Sequence, residues 1–362
     1  MKYLFYFGHP AQYLFFKPII KKLRANNHKI ILVAKTKDVL TNLLENDNES
    51  FINILPEGRK ATRFFIFLAL LKRDLRLLRI ALKHKPNLFI GSDPSLTHVA
   101  FLLRKPSLTI LEDDYNVIKK LANITFPFSS CILTPTVCDV GKWKKKKVGY
   151  QGYMKLSYLH PNVYTSQKSK VLVDAPYVLL RIASLTAHHD FGISGLDFDL
   201  IRTLLKHINK LDRNVVISSE VEIQDQFINQ YAIKINPSDI HHYLNFADLF
   251  IGDSQSMSVE AAMLGTPSIR ISSFVGQISV LEELEHVYQL TFGIKPENKK
   301  GIFDKLDELL GIENLKEVFQ LRRQKMLSEK IDVMAYVVWF IENYPESAKI
   351  MKEDPEYQER FK

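Results

Sequence analysis

The feature that most constrains this chain is the way its apolar segments are punctuated. Short, nearly unbroken apolar runs recur along it, each stopped by glycine or by small and acidic residues. Residues 3–7 stop at Gly8, residues 87–90 at Gly91-Ser92-Asp93, residues 107–111 at Glu112-Asp113-Asp114, and residues 130–133 at Thr134-Pro135. Between the runs the spacing is helical. Residues 13–26 carry Leu14, Ile19, Ile20 and Leu23 on one side and lysines on the other; residues 29–34 read as a second strand and 38–44 as a second helix. A strand that is apolar on both faces must be covered on both, so the pattern predicts βαβ units and a parallel sheet.

The alternation breaks over residues 149–175, where glycine, proline and polar residues collect, and then restarts. Residues 177–182, 214–217, 247–251 and 267–271 are the new strands, ending respectively before a loop rich in Ser, Thr and His, at Ser218-Ser219-Glu220, at Gly252-Asp253 and at Ser272-Ser273. A last helix over about residues 329–343 stops at Tyr344-Pro345 and leaves a charged tail. A chain of 362 residues, at roughly 100–200 residues per domain, suits two domains. The expected class is α/β, with two Rossmann-like, doubly wound parallel-sheet domains. The boundaries read as 1–160, 161–328 and a terminal helix and tail, 329–362, crossing back to the first domain.

Charge narrows the partners. Lys and Arg number 49 against 40 acids, so 49 − 40 gives +9, a balance that suits a polyanionic ligand or an anionic membrane face. No nucleic-acid module accompanies the charge, so nucleic acid is not an expected partner. Two cysteines, Cys131 and Cys138, are too few for a disulfide framework or a structural zinc site. Gly8-His9-Pro10 interrupts the apolar start before a signal core is complete. Residues 64–71, though wholly apolar, fall far short of the roughly 20 needed to span a bilayer. A cytoplasmic protein is expected. Residues 59–85 set Arg59, Lys60, Arg63, Lys72, Arg73, Arg76, Arg79, Lys83 and Lys85 around apolar residues with Asp74 the one acid. That segment reads either as a helix packed on the sheet with a solvated basic face or as a peripheral contact with the inner face of a membrane. The cluster Lys142-Trp143-Lys144-Lys145-Lys146-Lys147 reads as a solvated basic loop or as an attractor for an anionic donor or lipid.

The densest chemistry lies in residues 247–270. A buried strand runs into Gly252, and Asp253-Ser254-Gln255-Ser256 offers a helix N-cap, whose unpaired amides and macrodipole favour an anion such as pyrophosphate. Glu260, about one and a half turns in, suits ribose hydroxyls; simple capping is the alternative reading. This stretch resembles the nucleotide-binding segment of GT-B glycosyltransferases and the related epimerases. More narrowly, Gly252 to Met257, Glu260-Ala261-Ala262 and Gly265 to Arg270 are similar to a family of glycosyltransferase-like proteins carrying a domain of unknown function. Gly8-His9-Pro10-Ala11-Gln12, Tyr150-Gln151-Gly152-Tyr153 and His241-His242-Tyr243-Leu244 fit the same family.

The resemblance implies a GT-B-like fold whose domains face a central cleft. It implies that Asp253, Ser254, Gln255, Ser256 and Met257 present the donor phosphates and that Glu260 holds the ribose. Residues 236–242, His241 included, would lie beside the base. Arg181, Ser184 and Thr186, after the first strand of the second domain, suit phosphate oxygens, Arg through its planar fork; Glu220 ends the next strand on that edge. In the first domain, His9 at the first strand-to-helix turn suits a general base, imidazole having an unperturbed pKa near 6.5. Asp93, Asp113 and Asp114 end strands on the same edge as candidate bases or acceptor ligands. The implied activity is a metal-independent glycosyltransferase moving sugar from a nucleotide donor, a UDP-sugar first, to a glycan or lipid-linked hydroxyl in surface polysaccharide or glycolipid synthesis, with no cofactor. A non-hydrolysing nucleotide-sugar 2-epimerase is the enzyme alternative, though Gly8-His9-Pro10-Ala11 lacks the Arg-Pro-Glu run of those epimerases and the loop after Arg181 lacks their His-Arg-Arg-Glu-Asn pattern. A non-catalytic sugar-nucleotide-binding protein is the other.

Overall fold

Parallel strands that bury both faces leave little freedom in topology, and the computed structural model shows two such sheets. It describes residues 1–35, 38–55, 63–182, 196–219 and 222–362. The chain forms two compact units, Met1–Val163 with Lys330–Lys362, and Tyr164–Glu329.

The first unit carries β1 (Lys2–Phe7), β2 (Lys29–Lys35), β3 (Ile52–Leu55), β4 (Leu88–Gly91), β5 (Ser107–Ile110), β6 (Cys131–Pro135) and β7 (Lys147–Tyr150). Their spatial order is β3-β2-β1-β4-β5-β6-β7, every pair parallel. The second unit carries β8 (Tyr177–Ile182), β9 (Asn214–Ser219), β10 (Leu249–Gly252), β11 (Ser268–Ile271) and β12 (Thr291–Ile294), in the order β12-β11-β10-β8-β9, again all parallel. The winding direction reverses between β1 and β4 and between β8 and β10. Open α/β sheets bind ligands beyond the carboxyl ends of the strands at such points.

Three strands, β3, β7 and β12, were not anticipated, and all three are sheet edges. The expected charged tail is also ordered, as a helix Glu346–Glu353 and a 3-10 turn Pro355–Phe361. It belongs to the first unit with the helix Val333–Glu342, whose N-cap Asp332 accepts a hydrogen bond from the Ala335 amide at 3.0 Å. Tyr336, Trp339 and Phe340 of that helix form an aromatic cluster with Tyr357 and Phe361. The Ile331 amide donates to the Gln151 carbonyl at 2.9 Å, and the Gln151 amide to Gln358 Oε1 at 2.7 Å. Gly152 sits where a Cβ would fall well inside van der Waals contact with Val333 Cγ2. Gly152→Ala is therefore expected to cost about 1–3 kcal/mol through overpacking, read as a lowered melting temperature; an unchanged melting temperature would mean that the terminal helix is not fixed at this point.

The basic cluster after residue 141 is a 3-10 turn, Gly141–Lys146, whose Lys142, Lys144 and Lys145 are exposed while the two lysines that follow are tied down. Lys146 Nζ donates to the carbonyls of Phe126, Pro127 and Ser129 at 3.0, 2.7 and 2.8 Å, and Lys147 Nζ to those of Thr136 and Cys138 at 2.8 and 2.6 Å. Burial lowers both ammonium pKa values. These two cations tie β6 and β7 together and are not presented to a ligand.

The helix Arg63–His84 packs Leu77 and Ala81 into the core beside Leu4, Tyr6, Val33, Phe89 and Leu96. Its Asp74 carboxylate lies 3.0 Å from His98 Nδ1, and His98 Nε2 is 2.8 Å from the Ile124 carbonyl, so one imidazole ties three neighbouring helices. Burial opposes the charged ring, but the Asp74 hydrogen bond, the Ile124 carbonyl and the nearby carboxylates outweigh it and hold His98 above its ordinary value. A raised folded pKa gives stability that is fully present below the unfolded value of about 6.5 and is lost as pH rises through the folded value. His98→Gln is accordingly expected to lower the melting temperature more at about pH 6 than at about pH 8.5; an equal loss at both would show that the ring acts only as a neutral bridge.

Candidate functional site

In the second unit the register across the sheet aligns five residues near its carboxyl edge. They are Ser218 on β9, Arg181 on β8, Gly252 on β10, Arg270 on β11 and Gly293 on β12. Residues in register on parallel strands share a face, so two arginines flank a glycine at the reversal point. Gly252 has no room for a side chain: a Cβ there would lie 2.7 Å from Phe250 Cζ and 3.2 Å from the Arg181 carbonyl oxygen.

The two arginines differ in surroundings. Arg181 is partly accessible and donates through Nη1 to Ser218 Oγ at 2.6 Å. Arg270 is wholly buried. Its Nη1 donates to Gln255 Oε1 at 2.6 Å, and its Nη2 lies 3.7 and 3.9 Å from the Glu282 and Glu285 carboxylates. Burial pulls the guanidinium pKa down against those carboxylates and pushes that of Glu285 up. Sequence reasoning did not single out Arg270 as a site residue; the available signal was an arginine inside the apolar strand Ser-Ile-Arg-Ile.

β10 leads through Asp253 and Ser254 into the helix Gln255–Leu264. Ser254 is in extended conformation and its Oγ accepts from the Met257 amide at 3.3 Å; the helix ends at Gly265 in the left-handed region. The cap meets one first-turn amide, and no acid stands in that turn, so the helix start remains a positive end. The Gln255 side chain is committed elsewhere, since its Nε2 donates to Ser272 Oγ at 2.6 Å while its Oε1 receives Arg270. Asp253, Ser254 and Ser256 are partly accessible and Met257 is buried. Glu260, one turn further, is nearly buried, with Oε2 3.3 Å from His241 Nε2 of the helix Ile240–Phe246. His242, next in the chain, is engaged by Tyr164, whose Oη lies 2.8 Å from its Nδ1. Ser184, Thr186 and Glu220 lie outside the described residues.

In the first unit the four catalytic candidates follow the carboxyl ends of β1, β4 and β5 and stand in different states. His9 is exposed and caps the helix Pro10–Ala25, its Nδ1 accepting from the Ala11 amide at 3.3 Å. Gln12 joins the two strand ends: its Oε1 receives the Gly8 amide at 2.6 Å and its Nε2 donates to Ser92 Oγ. Asp93 is committed to structure, with Oδ1 taking the Ser95 amide at 2.9 Å and Oδ2 taking Arg73 Nη1 at 2.6 Å. Asp114 is buried and accepts from the Asp139 amide at 2.7 Å. Asp113 is reachable by water yet set in a dense shell of protein. Desolvation, with the charges of Glu112 and Asp114, pushes its carboxyl above the usual range against the opposing pull of Lys155. Glu112, which sequence reasoning passed over, pairs with Lys155 and accepts the Met154 amide at 2.9 Å. A cavity of about 650 Å³ in this unit lies at the other edge of the sheet, lined by Leu88, Pro106, Phe128, Ile341 and Tyr344, away from these strand ends. Cys131 is buried and its thiol is pushed up to about 12 by that burial, which suits packing rather than nucleophilic chemistry.

Two doubly wound parallel α/β units in one chain, of seven and five strands, define a GT-B-like fold. Solved structures similar to it include S. aureus MnaA in a co-structure with UDP, with TM-score 0.68 and 15% identity over 96% of this chain and 97% of that one. The UDP-GlcNAc 2-epimerase from Methanocaldococcus jannaschii superposes with TM-score 0.64 at 16% identity, covering 90% and 99%. The Streptomyces sp. SF2575 glycosyltransferase SsfS6 gives 0.61 at 13% identity, covering 95% and 100%. The chain belongs to the family described as Protein of unknown function (DUF354), which matches residues 9–284. No curated protein matches it in sequence.

Proposed function

We propose that this chain is a nucleotide-sugar glycosyltransferase. The observation that carries the reading is the reversal point of the second unit. There a capped helix start without a first-turn acid, Arg181 and a nearly buried glutamate supply the three things a nucleoside diphosphate needs: amide donors, a cation and a hydroxyl acceptor. Ser254, Ser256 and the first-turn amides take the diphosphate, Arg181 adds charge, and Glu260, oriented by His241, accepts the ribose hydroxyls. Gln255 contributes its backbone alone.

The first unit takes the acceptor. His9 removes the proton from an acceptor hydroxyl, that oxygen bonds to the anomeric carbon, and the bond from that carbon to the diphosphate breaks with both electrons leaving on phosphate. The helix end and Arg181 stabilise the departing charge electrostatically, so the step needs no metal in this scheme. Asp113 is the accessible carboxylate for a second acceptor hydroxyl; Asp93 and Asp114 are scaffolding. The donor class is a UDP-sugar and the acceptor a glycan or lipid-linked hydroxyl of surface polysaccharide or glycolipid synthesis. Likeness to UDP-GlcNAc 2-epimerases favours one second reading, epimerisation at sugar carbon 2.

Thermal shift with UDP, GDP and CMP tests the donor site. A nucleotide at about 100 times its Kd adds about 2.7 kcal/mol, a rise of about 5–10 °C for a protein built of units this size. No rise with any of the three would remove the reading. Incubation with UDP-GlcNAc in deuterated water separates the two chemistries: deuterium entering carbon 2 without an acceptor means epimerase.

A further inference from the structure

We propose that the first unit docks on an anionic lipid bilayer through the outer faces of three adjacent helices, Arg63–His84, Pro94–Leu102 and Lys119–Thr125. At 100° per residue, Leu68, Leu71, Lys72, Leu75, Arg79, Leu82 and Lys83 fall within roughly 120° of one another on the first helix. All seven are exposed, Leu75 at 59% and Leu82 at 56%. The opposite side holds Leu77 and Ala81, both in the core. Core packing therefore uses one apolar stripe and leaves a second facing water.

The neighbouring helices extend that face. His98 bridges all three helices through Asp74 and the Ile124 carbonyl, so they lie side by side. Phe101 and Leu102 end the second at 63% and 65% exposure, and Leu121 and Ile124 of the third are exposed as well. Exposed cations stand among them: Lys85, Arg104, Lys105, Lys119 and Lys120 join those of the first helix. The sequences of the three helices contain one acid, Asp74, and it is turned to His98.

Exposed leucine and phenylalanine ringed by lysine and arginine, with no outward carboxylate, match the headgroup boundary of an anionic leaflet. There cations are attracted by the surface potential and an apolar face inserts shallowly. No described helix is long and apolar enough to cross a membrane, so the contact is peripheral. The inference does not rest on the glycosyltransferase reading, although a lipid-bound acceptor would give it a purpose.

Co-sedimentation with phosphatidylglycerol-containing vesicles, against phosphatidylcholine vesicles, tests it. The full chain should pellet with the anionic vesicles and not with the neutral ones, and release on adding salt. Arg79→Glu/Lys83→Glu and, separately, Leu75→Ser/Leu82→Ser should each weaken binding at least about tenfold, with the melting temperature and the UDP shift of the parent retained. Absence of binding at low salt overturns the proposal. So does undiminished binding by the leucine variant, which would mean attraction by net charge alone. A concentration-dependent dimer abolished by Leu75→Ser/Leu82→Ser would assign the face to a second copy instead and overturn it too. Lipid binding without a UDP shift would sink the donor-site reading and leave this one standing.

Discussion

Replacing His9 with asparagine is expected to lower the rate of sugar transfer by roughly 10²–10⁴-fold, the usual worth of a positioned general base. Asparagine is the informative choice. His9 also caps the helix Pro10–Ala25 through Nδ1, so alanine would remove a cap along with a base and cost about 1 kcal/mol of stability. Asparagine is among the best caps and cannot accept a proton at neutral pH. The expected result is a collapse of kcat with a nearly unchanged melting temperature and an unchanged UDP shift. A kcat close to that of the parent would make the histidine a cap and move the search for the base to Asp113.

The second large effect is expected in binding. Glu260→Gln should weaken UDP by roughly 10- to 100-fold, because hydrogen bonds to a charged group are worth about 1.5–3 kcal/mol. The side chain keeps its shape and changes only its charge and one acceptor. Isothermal titration of UDP into the parent and the variant reads the difference directly. Since the carboxylate also lies 3.3 Å from His241, the variant's melting temperature separates the two roles. Equal affinity with lowered stability would leave Glu260 as the partner of His241 and nothing more.

The fold was largely legible because a parallel strand covered on both faces needs a continuous apolar run, and such runs are visible without partners. Ile52–Leu55, Lys147–Tyr150 and Thr291–Ile294 escaped for the converse reason. Each is an edge with one neighbour, so Asn53, Lys147 and Gly293 cost little there. The site was legible where its logic is local: Gly252 and Ser254 announce a strand end and a cap within three residues. It was illegible where partners are distant in sequence. Asp93 reads as a base until Arg73, twenty residues earlier in what looks like a solvated basic helix, is seen to hold it. Arg270 becomes a site residue only once Gln255, Glu282 and Glu285 converge on it from two helices. Lys146 and Lys147 read as free cations for the same reason, since the carbonyls that take them lie 9 to 20 residues upstream.

The return of Lys330–Lys362 to the first unit bears on the order in which this protein can mature. On the ribosome, residues 1–163 emerge first but lack the helix that seats Val333 beside Gly152 and the aromatic group around Tyr336. The second unit, continuous in sequence, has all its parts once Glu329 is added, just before that helix begins at Val333. A released chain truncated after Glu329 should thus hold a finished second unit and an unfinished first one, its apolar flank left open to chaperones without Lys330–Lys362.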